Sequence, residues 1–195
     1  EAIDPLTSDT EIINTDGELT FFRAGWYGEL ELRPIERLRL IPGLRIDYYD
    51  IVDRLGLDPR FVARWEIVDG TIAKGGVGVF HQEPQDYESD EMFGNPDLNL
   101  IRAIHYSLGV EQQLFQNVEI GVEGFYKDLD NLVVSTDETV QSQGTMVPMR
   151  YNNDGTGHVY GLEFLLKHRP TDRFFGWISY TLMKSACSTT IKLTF

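Results

Sequence analysis

Cysteine is almost missing from this sequence. The one residue, Cys187, excludes an internal disulfide framework and a zinc site built from cysteines. Basic residues are scarce: 17 Lys+Arg stand against 31 Asp+Glu, a formal net charge of −14 over 195 residues. That balance excludes a nucleic-acid partner, because a phosphate-binding face needs a basic patch. No apolar run reaches the roughly 18 residues that a transmembrane helix requires. The chain opens Glu1-Ala2-Ile3-Asp4, without the basic stretch and apolar segment of a signal peptide. It also lacks an initial Met, so it reads as a mature piece or an internal fragment. Convincing helical periodicity is absent too.

What is present is enough apolar surface to fold, 42% hydrophobic and 12% aromatic, and strand-like alternation. The clearest stretch puts Leu38, Leu40, Pro42, Leu44, Ile46 and Tyr48 on one face, with Arg39, Gly43, Arg45 and Asp47 between them. About Trp26–Arg33, Leu30 and Leu32 oppose Glu29, Glu31 and Arg33. About Arg60–Ile67, Phe61, Ala63, Trp65 and Ile67 oppose Arg64 and Glu66. Thr71–His81 is rich in glycine and its faces are less distinct. Further on, Ile104, Tyr106, Leu108 and Val110 oppose His105, Ser107, Gly109 and Glu111. Val118, Ile120 and Val122 oppose Glu119, Gly121 and Glu123. Tyr160, Leu162, Phe164 and Leu166 oppose Gly161, Glu163 and Lys167. Phe174, Ile178, Tyr180 and Leu182 oppose Ser179 and Thr181. This makes about eight strands, mostly of about 9–12 residues, against about 5–6 for a soluble strand and about 9–11 for one crossing a bilayer.

Connections at 33–37, 68–70, 113–117 and 169–173 are short, and those at 49–59, 82–100 and 129–156 are long. Strict alternation of this kind is expected of an up-and-down membrane barrel, with tight turns on one rim and long loops on the other. Residues 1–20 then belong to an outer loop or its base. Aromatic residues gather near strand ends, at Trp26 and Tyr27, Tyr48 and Tyr49, Phe125 and Tyr126, and Phe174, Phe175 and Trp177. Membrane barrels carry such girdles at both interfaces. The charges at mid-strand fit a wide hydrated lumen, since a small soluble core would have to bury them at several kcal/mol each if unpaired.

Ordered motifs add a resemblance. Tyr27-Gly28-Glu29-Leu30-Glu31-Leu32-Arg33-Pro34 followed by Leu40-Ile41-Pro42-Gly43-Leu44-Arg45, then Leu57-Asp58-Pro59-Arg60, read as a barrel hairpin and the start of its next strand. Gly94-Asn95-Pro96-Asp97-Leu98 precedes His105-Tyr106-Ser107-Leu108-Gly109-Val110-Glu111, and Phe125-Tyr126-Lys127 follows. Asn153-Asp154-Gly155, Gly161-Leu162-Glu163 and Phe175-Gly176-Trp177-Ile178-Ser179-Tyr180-Thr181 complete the series. Over about residues 25–184 the chain resembles the barrel of TonB-dependent outer-membrane receptors. The resemblance implies a partial barrel domain over 1–195, an all-β antiparallel up-and-down sheet forming an open arc of a 22-stranded barrel. It implies uptake, energised by TonB, of a scarce nutrient such as a ferric siderophore, cobalamin or an oligosaccharide. The implied partners are outer-membrane lipid, a small-molecule or metal-chelate ligand, and the TonB complex through a plug that is not visible in this chain. No cofactor and no enzymatic step are implied. Residues 186–195 depart from the pattern, although Ile191, Leu193 and Phe195 alternate as an assembly signal would.

Candidate ligand contacts are Asp86, Tyr87, Glu88, Asp90 and Glu91 in one acidic segment, and Tyr151, Asn152, Asn153 and Asp154 in another. A solvated loop and a simple turn are the competing readings of these two segments. Expected to face the lumen are Arg39, Arg45, Arg64, His105, Glu119, Glu123 and Glu163. The arginines either attract anions or pair with Glu29, Glu31 and Glu66 on neighbouring strands. His81, His105, His158 and His168 fall at different heights and form no expected metal site. Neither a nucleophile elbow nor a phosphate loop is present. Two other architectures fit the alternation: a complete eight-stranded barrel with a structural or adhesive role, and a soluble barrel carrying a small ligand. Burial of Leu40, Leu44, Leu108 and Leu162 would mark the soluble barrel. Pairing of the first and last strands would mark the small closed one. An open arc expressed alone is expected to be insoluble or to remain a curved open sheet.

Overall fold

A computed structural model describes residues 22–90, 94–142, 145–172 and 174–189. They form one antiparallel sheet. Its strands are β1 (Arg23–Glu29), β2 (Leu32–Ile35), β3 (Leu38–Tyr49), β4 (Arg54–Val68), β5 (Thr71–Gln82), β6 (Ile101–Phe115), β7 (Val118–Ser142), β8 (Thr145–His168) and β9 (Gly176–Thr189). Each strand pairs with the next along the order β1-β3-β4-β5-β6-β7-β8-β9, while β2 also pairs with β3. Since β4 covers β3 from Leu38 to Tyr49 on its other side, β1 and β2 share one edge of β3. They act as a single interrupted strand, and the sheet has the eight positions that the alternation implied.

The sheet is not closed. Among the described residues β1 and β9 are its two free edges, so the small closed barrel is not the architecture. The tail from Thr190 to Phe195 lies outside the described residues. The first part of the segment read as atypical, through Thr189, continues β9 in register with β8.

Tight connections follow the expected turns. Asp69-Gly70 links β4 to β5, with Gly70 at φ 79°, where a side chain would be strained. Two of the three long connections differ from expectation. Only a 3-10 turn, Asp50–Val52, separates β3 from β4. Pro59, read as part of a loop, stands in the ladder opposite Leu44. The region 129–156 is mostly a strand pair reaching Ser142 and Thr145, irregular between Leu129 and Thr139. The alternation of apolar and polar residues fades there, while hydrogen bonding still extends the strands. Only 83–100 is a true loop, with one helical turn, α1 (Asp86–Ser89).

A single-layer sheet has almost no interior. The buried hydrophobic cluster is Tyr49, Val52 and Leu100, with Leu98 buried nearby. It forms where the 83–100 loop folds across the upper ends of β3 and β4.

Candidate functional site

Register assigns every strand residue to one of two faces. On the first, Leu40, Ala63, Gly75, Leu108, Gly124, Leu162 and Leu182 stand in one row across seven strands. Leu108 is 73% exposed and Leu162 46% exposed, and Leu40 and Leu44 are half-buried. None is buried, so the soluble carrier is excluded on its own criterion. Exposed Trp65, Val110, Ile120, Val122, Phe164, Ile178 and Tyr180 extend this apolar face. A patch of that size signals a hydrophobic environment rather than water. Along β6, ten residues separate Tyr106 from the turn at 116. At about 3.3 Å per residue and a tilt of about 40° they rise about 25 Å, the height of the apolar band of a membrane barrel.

The second face is charged. Arg39, Arg64, Lys74, Gly109, Glu123 and Glu163 lie in one row. Arg45, His105 and Glu119 stand an even number of residues along the same strands, so all seven residues expected on one face share it. The arginine partners differ from expectation. Arg45 pairs with Asp47 at 2.5 Å, and Arg64 with Glu111 at 2.6 Å. Glu29 pairs with Arg60 at 2.8 Å, and Glu31 with Arg33 at 2.6 Å. Arg39 and Glu66 form no ion pair among the described residues. The residue directly opposite Arg39 is Arg64, a like charge, so reach across the sheet decides the pairing rather than adjacency.

Lys74 is the residue that the sequence left unread. Its ammonium bonds Glu123 and lies 3.2 Å from Glu111. Lys74 and Glu123 are two strands apart, with Gly109 between them in the ladder. A bare glycine leaves the space over which the two side chains meet. The glycine-rich character of β5 hid this lysine's face.

Toward the loop-bearing end the polar face closes into a small network. Asp47, 2% exposed, receives both Nε and an NH2 nitrogen of Arg45. Arg23 donates to the Tyr49 hydroxyl at 3.0 Å and lies over its ring. Tyr49 in turn donates to the His81 carbonyl at 3.1 Å, and His81 Nδ1 lies 2.6 Å from Asp58.

The loop over this network is held by asparagines. Asn153 accepts from the Asn99 backbone N–H at 2.7 Å and donates to the Asn99 and Asn131 carbonyls at 3.1 and 2.9 Å. Asn95 donates to the Tyr151 carbonyl at 2.9 Å, and Asn131 to the Leu100 carbonyl at 3.4 Å. Asn131 takes φ 56° at a bulge, a conformation asparagine tolerates. Asn152 bonds Asp154. Glu88 closes the capping box on Gln85 at 2.8 Å. Asp86 is exposed at the start of α1 and Asp90 follows its end. Glu91 lies outside the described residues. Two segments that the sequence treats separately thus meet: Tyr87 stands edge-on to Tyr151 with ring centroids 6.2 Å apart. Tyr87 and Asp86 are the solvent-facing members of this patch, while Asn153 and Glu88 are occupied in holding the loop.

The histidines are dispersed. His105 packs on Phe80 with centroids 4.5 Å apart, His158 stacks with Tyr126 and with Tyr160, and His168 meets Phe174. Among the described residues no three His, Cys, Asp or Glu side chains gather as a metal site.

An open antiparallel arc with one exposed apolar face and one charged face is a wall segment of a wide outer-membrane-type barrel. The family of TonB-dependent receptor-like beta-barrels matches residues 2–192, and the chain belongs to that family. Its members are outer-membrane receptors and transporters rather than enzymes. No curated protein matches the sequence. Among solved structures, the outer-membrane transporter YddB of Escherichia coli is similar at 18% identity and TM-score 0.67, over 88% of this chain and 25% of that one. The ferric enterobactin receptor PfeA of Pseudomonas aeruginosa is similar at 19% identity and TM-score 0.69, over 83% and 27%. The siderophore receptor PirA of Pseudomonas aeruginosa is similar at 20% identity and TM-score 0.67, over 84% and 34%. The chain spans about a quarter to a third of the length of these proteins.

Proposed function

We propose that this chain is the lumen wall and outer mouth of an outer-membrane receptor that takes up a ferric siderophore, with TonB supplying the energy through a plug domain. Its apolar face meets the membrane, and its charged face, with Arg39, Arg45, Arg64, His105, Glu119, Glu123 and Glu163, meets the lumen. The observation that carries this reading is the two-faced open arc in a chain of this receptor family. The similarity to a ferric enterobactin receptor and to a siderophore receptor favours a metal chelate over cobalamin or an oligosaccharide. At the mouth, Asp86, Tyr87 and Tyr151 are the first contacts. Asp90, Asn152 and Asp154 border them, and Glu88 and Asn153 hold them in place.

The test is growth of cells carrying or lacking the gene, with the nutrient supplied only as ferric enterobactin, cobalamin or a maltodextrin. Loss of growth confined to the ferric chelate is expected. Loss confined to either other nutrient reassigns the substrate, and no loss on any of them refutes uptake.

A further inference from the structure

Below the mouth, the charged face has a pocket of about 310 Å³ that spans β4 to β8. Its floor is Gly76 and Gly78 of β5, with Ser107 of β6 opposite Gly76. A Cβ on Gly76 would meet nothing closer than 3.5 Å. The backbone there does not demand glycine, and the space above it is open. Three rings stand around this floor. Phe80 lies over Gly78, where a Cβ would come within 3.0 Å of its ring, and packs on His105. Phe125 leans away over Gly161, where a Cβ would come 2.8 Å from its Cζ. The bare glycines seat the rings at the sides and leave the floor uncovered.

Charge divides the pocket along its length. Toward the loop-bearing rim stands Lys127, directly opposite His105. Its ammonium lies 5.7 Å from the Phe125 ring centroid and has no ion-pair partner among the described residues. The Arg60 guanidinium, at the pocket's edge, is engaged by Glu29 and Tyr27. Toward the turn-bearing rim are Glu123, engaged by Lys74, and Glu163, which has no ion pair among the described residues. An uncommitted ammonium beside aromatic rings, with acid at the far end, is complementary to a ring that carries anionic oxygens and arrives from the outer side. The volume is at the low end of the roughly 300–1000 Å³ of small-molecule sites, so it has room for one such ring rather than a whole chelate.

We propose that this pocket is a second stop for the substrate, taking one anionic aromatic arm of an iron chelate after it leaves the mouth. The arm's oxygens sit on the Lys127 ammonium and the Ser107 hydroxyl, and its ring lies against Phe80, His105 and Phe125. The acid at the inner end keeps the anion at the level of Lys127. Phe80 stands two residues before the end of β5, so the pocket lies at the base of the 83–100 loop, which carries Asp86 and Tyr87. The proposal rests on the reading that this chain walls a siderophore receptor.

The test uses cells that carry the whole receptor and radioiron-labelled ferric enterobactin, a chelate with catecholate arms. Binding to de-energised cells reads the mouth, and initial uptake by energised cells reads passage. Lys127→Gln removes the charge and Gly76→Val fills the floor. Both variants should reach the outer membrane in wild-type amounts and bind as wild type does, but take up the chelate about fivefold more slowly. Lys127→Arg, which keeps the cation, should restore uptake, and Lys167→Gln, on the same face but outside the pocket, should change neither reading. Wild-type uptake by both variants overturns the proposal. Weakened binding to de-energised cells overturns it too, because it would place Lys127 in the mouth. Slow uptake accompanied by new sensitivity to vancomycin would show that the pocket grips the plug instead. Failure of wild type itself to bind the chelate refutes the siderophore reading, and the pocket's role falls with it.

Discussion

Replacing Lys74 by Met tests whether the charges of the polar face are coupled across the sheet. The change keeps the aliphatic stem and removes the ammonium. Glu123 then loses its partner, and Glu111 keeps only Arg64. Lys74, Glu111 and Glu123 are 27%, 17% and 26% exposed. They lie between a surface pair, worth about 0–1 kcal/mol, and a buried pair, whose breakage costs about 3–5 kcal/mol. We expect Lys74→Met to lower stability by about 1–2 kcal/mol. The assay is urea unfolding of the protein in lipid vesicles, followed by tryptophan fluorescence. Glu123→Gln and the double variant complete the cycle, because only the cycle isolates the pair from the cost of each change alone. The Lys74–Glu123 coupling should be about 1 kcal/mol and should shrink when salt is raised from about 0.1 M to about 1 M. A coupling within about 0.3 kcal/mol of zero, inside the error of additivity, would refute the idea that Gly109 exists to let these groups meet.

Three further outcomes follow from the same geometry. Gly109→Ala should destabilise by about 1–3 kcal/mol, because its Cβ would stand 2.7 Å from the Val122 carbonyl oxygen, whereas Gly124→Ala should change stability by less than about 0.5 kcal/mol; urea midpoints of the two variants check this. Asn153→Ala removes three hydrogen bonds to the 83–100 loop and its neighbour, so limited proteolysis should cut that loop faster while the sheet resists; an unchanged cleavage rate would show that the Leu98 and Leu100 anchors suffice. Leu108→Arg should cost about 2–4 kcal/mol and reduce outer-membrane insertion, whereas Thr181→Arg, in the same sheet but on the polar face, should insert normally; fractionation of the two variants distinguishes them.

Local sequence determined the strands, the two faces and the turns at one rim. A period of two is a property of the chain alone, and it is strongest where one face meets hydrocarbon and the other water. Leu38 to Tyr48 and Ile104 to Glu111 carry that contrast and were legible. The same contrast vanishes beyond Leu132, so the hairpin there reads as loop although it is strand. Pro59 likewise lies in a stretch that reads as loop although it is strand, because a missing N–H matters only when the ladder needs it.

The arc's openness and the ion pairs were settled by tertiary structure. Whether β1 meets β9 depends on sheet curvature, a sum over all strands that no single segment encodes. Arg64 finds Glu111 and Lys74 finds Glu123 two strands away, because neighbouring positions hold like charges or glycine. Likewise Asn153 and Asn99 are 54 residues apart in sequence, and only the folded loop turns a segment that reads as a ligand contact into a clasp on the 83–100 loop. Short-range chemistry thus set the faces, while long-range packing chose the partners.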